Sequence, residues 1–502
     1  MSLVTLPCCV ARHDVATAVA HCDGMRRRLR ADDASRPRRG STRLCLAALL
    51  LLLPLPLAAV ERTPHEQLAR EILAELVGID TTDSVGDNTA AAEAMARRLR
   101  GAGFSAADVE VVVPAPRKGN LVARLRAPVA REKPLLLLAH LDVVEADPKD
   151  WSLPPFELTE RDGYFYGRGT SDDKAMAAIF VANLIRLHAE GYAGTRDLIV
   201  ALTADEEGGD HNGVRHLLAE RRDLIDAAFA LNEGGYGQRS SGQPIANTVQ
   251  AAEKTYQTYT LEVTNPGGHS SLPRPDNAIY QLANALSRIA AHRFPVRVND
   301  VTRAYFRQTA ATMQPPEDGY LRGLGLDPPD PESLAFAATV PLYDAMLRTT
   351  CVATRLAAGH ADNALPQRAT ATVNCRIVPG EDPADVQAAL VAVVADSAVS
   401  IAPVDEALMA QPSPLTEDVL APIAAVTEAM WPGVVVVPTM SPGATDGLFL
   451  RNAGIPVYGV SGLFMDIDDV RAHGRDERIP VGSFYQSLEF LDRLVRAYAG
   501  VD

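Results

Sequence analysis

Residues 135–142 read LLLLAHLD, an apolar run without alternation that ends in His140 and Asp142. The same design recurs in LIVALTADEE, which ends in Glu206 and Glu207, and in AFALNEGG, which runs into Glu233. A strand that is apolar throughout must be covered on both faces, which implies a mostly parallel sheet between helices. Open sheets of that kind place their sites beyond the C-terminal ends of the strands. These acids and this histidine stand there.

Helical spacing accompanies the strands. Residues 64–77 put Leu68, Ile72, Leu73 and Leu76 on one face, and residues 89–101 form a second helix closed by Gly101 and Gly103. Residues 174–190 and 213–222 follow with the same period. Near residue 250 the pattern changes. TYQTYTLEV, TTCVATRL and ATATVNCRI alternate with period two, so each strand has one solvated face. Helices are expected from about 277 to 292 and from 382 to 396, while the Pro-rich stretch 293–345 yields no assignment. From about 406 the first pattern returns, with VVVVP, IPVYGV and a helix from 482. The expected fold class is α/β, a mostly parallel sheet between helices over 61–249 and 406–502. An α+β domain is inserted over 250–405. A chain of 502 residues is long enough for two cores.

The first 60 residues form a leader. Arg36–Arg43 is basic, Leu44–Leu57 is almost wholly apolar, and Leu57-Ala58-Ala59 has the small residues of a cleavage site. This is the pattern of a secretory signal peptide, so a secreted or periplasmic protein is expected. The run is short for a membrane span and is broken by Pro54 and Pro56, so no stable span is expected after cleavage. The stretch before Met25 is unlike a signal peptide, which suggests a translation start at or near Met25. The formal net charge of −15 disfavours nucleic acid as a partner, because phosphate binding needs a basic face. Outside the leader only Cys351 and Cys375 remain, and they are either a pair or two buried thiols.

His140, Asp142, Asp172, Glu206, Glu207, Glu233 and His473 are the candidate site residues. Imidazole and carboxylate are the ligands of zinc or manganese in catalytic sites. Two metals need a bridging carboxylate and roughly two further ligands each, and this set supplies that number. Asp142 follows His140 by two residues on an extended strand, so it can accept the proton on the ring's other nitrogen. Glu206 and Glu207 are adjacent and point apart, so one can bind metal while the other faces the reacting water. GRGTSDDK lacks the spacing of a phosphate loop, and two acids at a helix start repel phosphate. His211, His216 and His360 read as helix-surface or turn residues.

In order along the chain stand HLDVV (140–144), WSLPPFE (151–157), YGRGTSDDK (166–174), ADEEGG (204–209) and NEGG (232–235). GGHSSLP (267–273), NALP (363–366), CRIVPG (375–380) and HGRDERIP (473–480) follow. The ordered set resembles the di-zinc metallopeptidase family of aminoacylase, glutamate carboxypeptidase, carnosinase and carboxypeptidase S, and looks most like carboxypeptidase S. The resemblance implies two zinc ions, with cobalt or manganese using the same ligand types. It implies His140 as a ligand with Asp142 behind it, Asp172 as the bridging carboxylate, and Glu207, Glu233 and His473 as further ligands. Glu206 resembles the general base. His269 resembles the histidine that stabilises the oxyanion, which in dimeric members comes from the partner subunit. The inserted domain is then a lid or dimerisation domain, and a homodimer follows if His269 acts in trans. Asn363 and Arg376 resemble the groups that hold the substrate and its free carboxylate. Two departures stand out: Ala175 where many members have Gly, and Gly447-Leu448 where relatives often place a small residue and then Arg.

The expected activity is metal-assisted hydrolysis of a peptide or N-acyl amide, carboxypeptidase-like, on a small peptide or N-acyl amino acid. An activated water attacks the carbonyl, and Glu206 moves its proton to the leaving amine. The alternatives are a dipeptidase or deacylase for one defined metabolite, and a non-catalytic binding protein on the same fold. The presence of Glu206 and every ligand disfavours the last.

Overall fold

The structure, a computed structural model, describes residues 62–501. The leader, its expected signal peptide and the Met25 start lie outside the described residues. Among the described residues no helix is long and apolar enough to cross a membrane.

The large sheet has ten strands. At its centre Leu198–Thr203, Leu135–His140, Phe229–Asn232 and Val457–Gly459 lie side by side and parallel. Its flanks are mixed. Asn120–Leu125, expected within the parallel sheet, runs antiparallel to Leu198–Thr203, and Gln243–Glu253 pairs antiparallel with Val457–Gly459. The apolar runs divide by parity. Leu135, Leu137 and Ala139 enter one core with the helices Pro64–Gly78, Lys174–Ala189 and Val481–Ala499, whereas Leu136 and Leu138 enter a second core under Gly213–Glu220. Coverage of both faces explains why these strands show no alternation.

The second sheet is antiparallel, in the order Thr350–Ala358, Arg368–Ile377, Thr255–Thr264, Val399–Pro403. One face packs against Ala278–Ala291 and Pro383–Val394 in a core of its own. Cys351 and Cys375 face each other across two of its strands and form a disulfide.

The stretch 293–345, placed by sequence inside the insertion, behaves differently from its neighbours. It folds into the helices Asp300–Thr309, Glu317–Leu324 and Pro331–Ala337, with Pro341–Leu347 following. Their buried Val301, Phe306, Leu321 and Met346 join the core of the large sheet, and the first of these helices lies along Val435–Ser441. The insertion's own core therefore draws only on residues 259–294 and 351–401.

A small sheet joins distant parts of the site. Arg478–Pro480 pairs with Tyr164–Tyr166, which pairs with Thr159–Arg161. It brings the HGRDERIP segment against the YGRGTSDDK loop.

Candidate metal centre and substrate cleft

His140 is the last residue of its strand, Glu206 and Glu207 follow the neighbouring strand on one side, and Glu233 follows the neighbour on the other. Three parallel strands thus deliver their polar ends to one crevice. Asp172 enters from the loop before Lys174–Ala189, and the peptide that joins it to Asp173 is cis. His473 enters at φ +61° from the loop before the small sheet.

Asp172 is the centre of the arrangement. Its Oδ1 lies 3.0 Å from His140 Nε2 and its Oδ2 lies 3.1 Å from His473 Nε2. His473 Nε2 is also 2.8 Å from Glu207 Oε1. Two groups of side chains have the geometry to hold a metal ion, His140–Asp172–Glu233 and Asp172–Glu207–His473, and Asp172 belongs to both. His211, His216 and His360 belong to neither.

The electrostatics fit a cation. Burial pushes Glu233 well above the usual carboxylate range, and repulsion from Glu206 adds to it. Burial likewise raises Glu206. Among the described residues neither carboxylate receives a hydrogen bond, although each is partly buried. Burial alone would lower His140, but the Asp172 hydrogen bond and the surrounding acids raise it well above normal. Hydrogen bonds to Asp172 and then Glu207 push His473 up to about 10. A divalent cation would offset this excess of acids over donors, and an all-nitrogen-and-oxygen donor set suits a catalytic zinc, cobalt or manganese site.

The partner of His140 differs from expectation. Nδ1 donates to the main-chain carbonyl of Asp142 at 3.0 Å, while Asp142 Oδ1 is 3.7 Å away. The Asp142 carboxylate is instead turned to the next strand, where Oδ2 accepts the Glu207 N–H at 2.8 Å. The main chain thus fixes the tautomer that leaves Nε2 free as a ligand, and the side chain steadies the Glu206–Glu207 loop.

Three polar residues that shape the site escape a reading by sequence. Glu477 is fully buried and bonds Arg168 Nη1 at 2.7 Å, the N–H groups of Gly169, Ser171 and Asp172, and Ser171 Oγ. It therefore sets the loop that carries Asp172. Asp446, in the segment TDGLF at 445–449, is buried and accepts from Thr203 Oγ1 at 3.1 Å and Asn212 Nδ2 at 2.6 Å. Burial pushes its carboxyl up to about 6. Asn212 also donates to the Asp205 carbonyl at 3.0 Å, so the base loop is held from behind.

The cleft in front of the ligands is lined by Glu206, Glu207, His473, Tyr256, Arg376, Leu448 and Phe449. Arg376 reaches it from the four-stranded sheet, its guanidinium 4.7 Å from the centre of the Tyr256 ring. His269 and Asn363 do not line this cleft. His269 lies on a two-stranded ribbon whose second strand Asn363 directly precedes; Ser270 N–H donates to the Asn363 carbonyl, and His269 Nδ1 meets Ser271 Oγ at 2.7 Å. His269 is exposed there.

A model of the family described as Peptidase family M20/M25/M40 matches residues 136–497. The chain is 31% identical over 373 residues to the N-fatty-acyl-amino acid synthase/hydrolase PM20D1 of Homo sapiens, covering 72% of this chain and 74% of that relative. It is 30% identical over 376 residues to the probable carboxypeptidase S-like 2 of Dictyostelium discoideum, covering 72% and 71%. Among solved structures it resembles the M20 family metallo-carboxypeptidase Sso-CP2 from Sulfolobus solfataricus. The TM-score is 0.64 at 18% identity, covering 86% of this chain and 99% of that one, a likeness of fold.

Proposed function

This chain belongs to peptidase family M20/M25/M40 and is a hydrolase of amide or peptide bonds, and we propose that it frees amino acids from N-acyl amino acids by two-zinc catalysis. The observation that carries the reading is Asp172, shared by two ligand groups that open on a cleft holding both Glu206 and Arg376.

Bound at these groups, the cations would act as Lewis acids and lower the pKa of a water. Zinc is favoured by the histidine and carboxylate donors, and cobalt or manganese accept the same set. Asp172 ties the two groups together through its two oxygens. His140 presents Nε2 because its Nδ1 proton is committed to the Asp142 carbonyl. Glu206 takes a proton from the attacking water and returns it to the amine nitrogen as the C–N bond breaks and the C–O bond forms. Arg376 holds the α-carboxylate through a bidentate pair, with the Tyr256 ring beneath the guanidinium. His269, with Asn363, reaches the carbonyl oxygen from a partner subunit and stabilises its developing charge.

The basic-then-apolar leader and the Cys351–Cys375 disulfide both support export to an oxidising compartment. N-terminal sequencing of the exported protein checks this.

The central test is Glu206→Gln. Turnover of N-acyl amino acids should fall by about 10²–10⁴-fold, the usual contribution of a general base, while metal content stays near two per chain. Removing metal with a chelator should abolish activity in the wild type. Activity that survives chelation, or near-normal turnover in the Gln variant, would overturn the assignment.

A further inference from the structure

Glu206 receives no hydrogen bond among the described residues, so no neighbouring side chain aims it. Its direction is set by the main chain before it. Asp205 stands there in the left-handed region, at φ +60°, which a residue with a side chain keeps only where its surroundings hold it. The segment 118–120, which leads into the strand Asn120–Leu125, supplies that hold. Lys118 is buried, and its Nζ donates to Asp205 Oδ1 at 2.6 Å. Asn120 Oδ1 accepts the Ala204 N–H at 2.9 Å. The rest of the turn closes on itself: Asp205 Oδ2 accepts the His211 N–H at 3.1 Å, and Gly213 N–H donates to the Ala204 carbonyl at 2.8 Å. Lys118 Nζ also donates to Asp83 Oδ1 at 2.6 Å, but the Asp83 carboxylate lies at the surface, whereas that of Asp205 is 1% exposed.

We propose that Lys118 is a positioning residue for catalysis: through Asp205 it fixes the turn that points Glu206 at the reacting water. An ammonium bonded to a buried carboxylate is a strong, short tie, and without it the Asp205 charge would be buried unpaired. The turn would then open toward water and carry Glu206 with it. Glu207 has an anchor of its own, since its N–H donates to Asp142 Oδ2 at 2.8 Å and its carboxylate meets His473. Arg376 approaches from the other sheet. Loss of Lys118 therefore strikes the proton transfer and spares the metal-holding groups and the grip on the substrate carboxylate. The proposal rests on the reading of Glu206 as general base and adds what holds that base in place.

The test is a double-mutant cycle on the metal-loaded protein, with whichever N-acyl amino acid the wild type turns over best. Lys118→Met should lower kcat by about 100-fold, the usual cost of a misplacement near 1 Å. KM should stay within about twofold of wild type, and metal content, read by atomic spectroscopy, should match that of the wild type. In the Glu206→Gln background the same substitution should change kcat by less than about twofold, because no base remains to be aimed. A residue that only stabilises the fold would cost the same in both backgrounds. If the Met variant does not fold, Asp205→Asn keeps the side chain's size and leaves Lys118 a neutral acceptor; its kcat should fall about tenfold, again only where Glu206 is present. An equal loss in both backgrounds, an unchanged kcat in the variant used, or a loss of metal overturns the positioning role. Near-normal turnover in Glu206→Gln alone overturns the base itself and the proposal with it, so the background in which the result appears tells the two failures apart.

Discussion

Glu477 accepts five hydrogen bonds from the Arg168–Asp172 segment without touching either ligand group's metal-facing atoms. In Glu477→Gln one oxygen becomes a donor that faces other donors, so the loop must shift, and Arg168 loses the charge that balances it. Metal affinity should fall by about 10–100-fold, the usual cost of losing an outer partner of a ligand, with turnover restored at high metal concentration. Titration of the metal-free protein measures it; unchanged affinity would reduce Glu477 to a fold residue. Glu477 also shows where a sequence stops being legible. His140, Glu206, Glu207 and Glu233 can be read because each stands at or just after an apolar run that already implies a buried strand. Glu477 bonds residues more than 300 positions away, and Asp446 meets Thr203 across 243 positions. Neither has a local signal, since an acid in a polar loop is ordinarily solvated. For His140, spacing identified the right strand end but not the acceptor of its ring proton. That choice depends on the Glu207 N–H from a neighbouring strand.

Elements with a long period were legible and short ones were not. The helices Pro64–Gly78, Lys174–Ala189 and Val481–Ala499 have enough turns for their apolar stripe to show. The helices between Asp300 and Leu347 run only 7 to 10 residues and are separated by prolines, so periodicity has little to act on. Their end signals are nevertheless present. Asn299 and Thr302 form a capping box, Asp330 caps a helix that starts at Pro331, and Pro341 opens the last. Reading caps before periods would have found them, though not the sheet they join. In the four-stranded sheet alternation was plain, but pairing was not, and pairing decides the cysteines. Cys351 and Cys375 are register partners with a sequence separation of 24. Closing a loop of that order stabilises by about 3 kcal/mol in the chain-entropy picture. Reduction, or the double change of both cysteines to Ser, should therefore lower the denaturant midpoint of this sheet. A midpoint that does not move would show that strand pairing alone holds the two strands.

At the scale of the whole molecule, how the two sheets are joined bears on stability. Lys254 sits at the joint between Gln243–Glu253 and Thr255–Thr264, nearly fully buried, and donates to the carbonyls of Ala345 and Arg348 at 3.0 and 2.8 Å. Burial first, then the charge of Arg376, pushes its amine down to about 7. In the unfolded chain a lysine titrates near 10.4. Below about pH 7 both states hold the proton and the cost of burying the charge is fully present. Between about 7 and 10.4 the unfolded chain binds one proton more, so stability rises with pH through that window. Lys254→Met lacks this contribution. The difference in Tm, wild type minus variant, should therefore shift in favour of the wild type from pH 7 to pH 9.5, and a constant difference would mean that the buried amine keeps its proton. The assembly is tested by complementation. Arg376 lines its own cleft, whereas His269, on an exposed ribbon, and Asn363, directly before the ribbon's second strand, stand outside it. If that ribbon completes the cleft of a second copy, each site takes Glu206 from one chain and His269 from the other. His269→Ala and Glu206→Gln homodimers should then both be inactive. Co-expressed in equal amounts, they should recover roughly a quarter of wild-type activity, because half of the two-fold dimers are mixed and each mixed dimer holds one complete site. A chain that uses its own histidine holds no complete site in any combination, so a mixture as inactive as its parents would place His269 in cis.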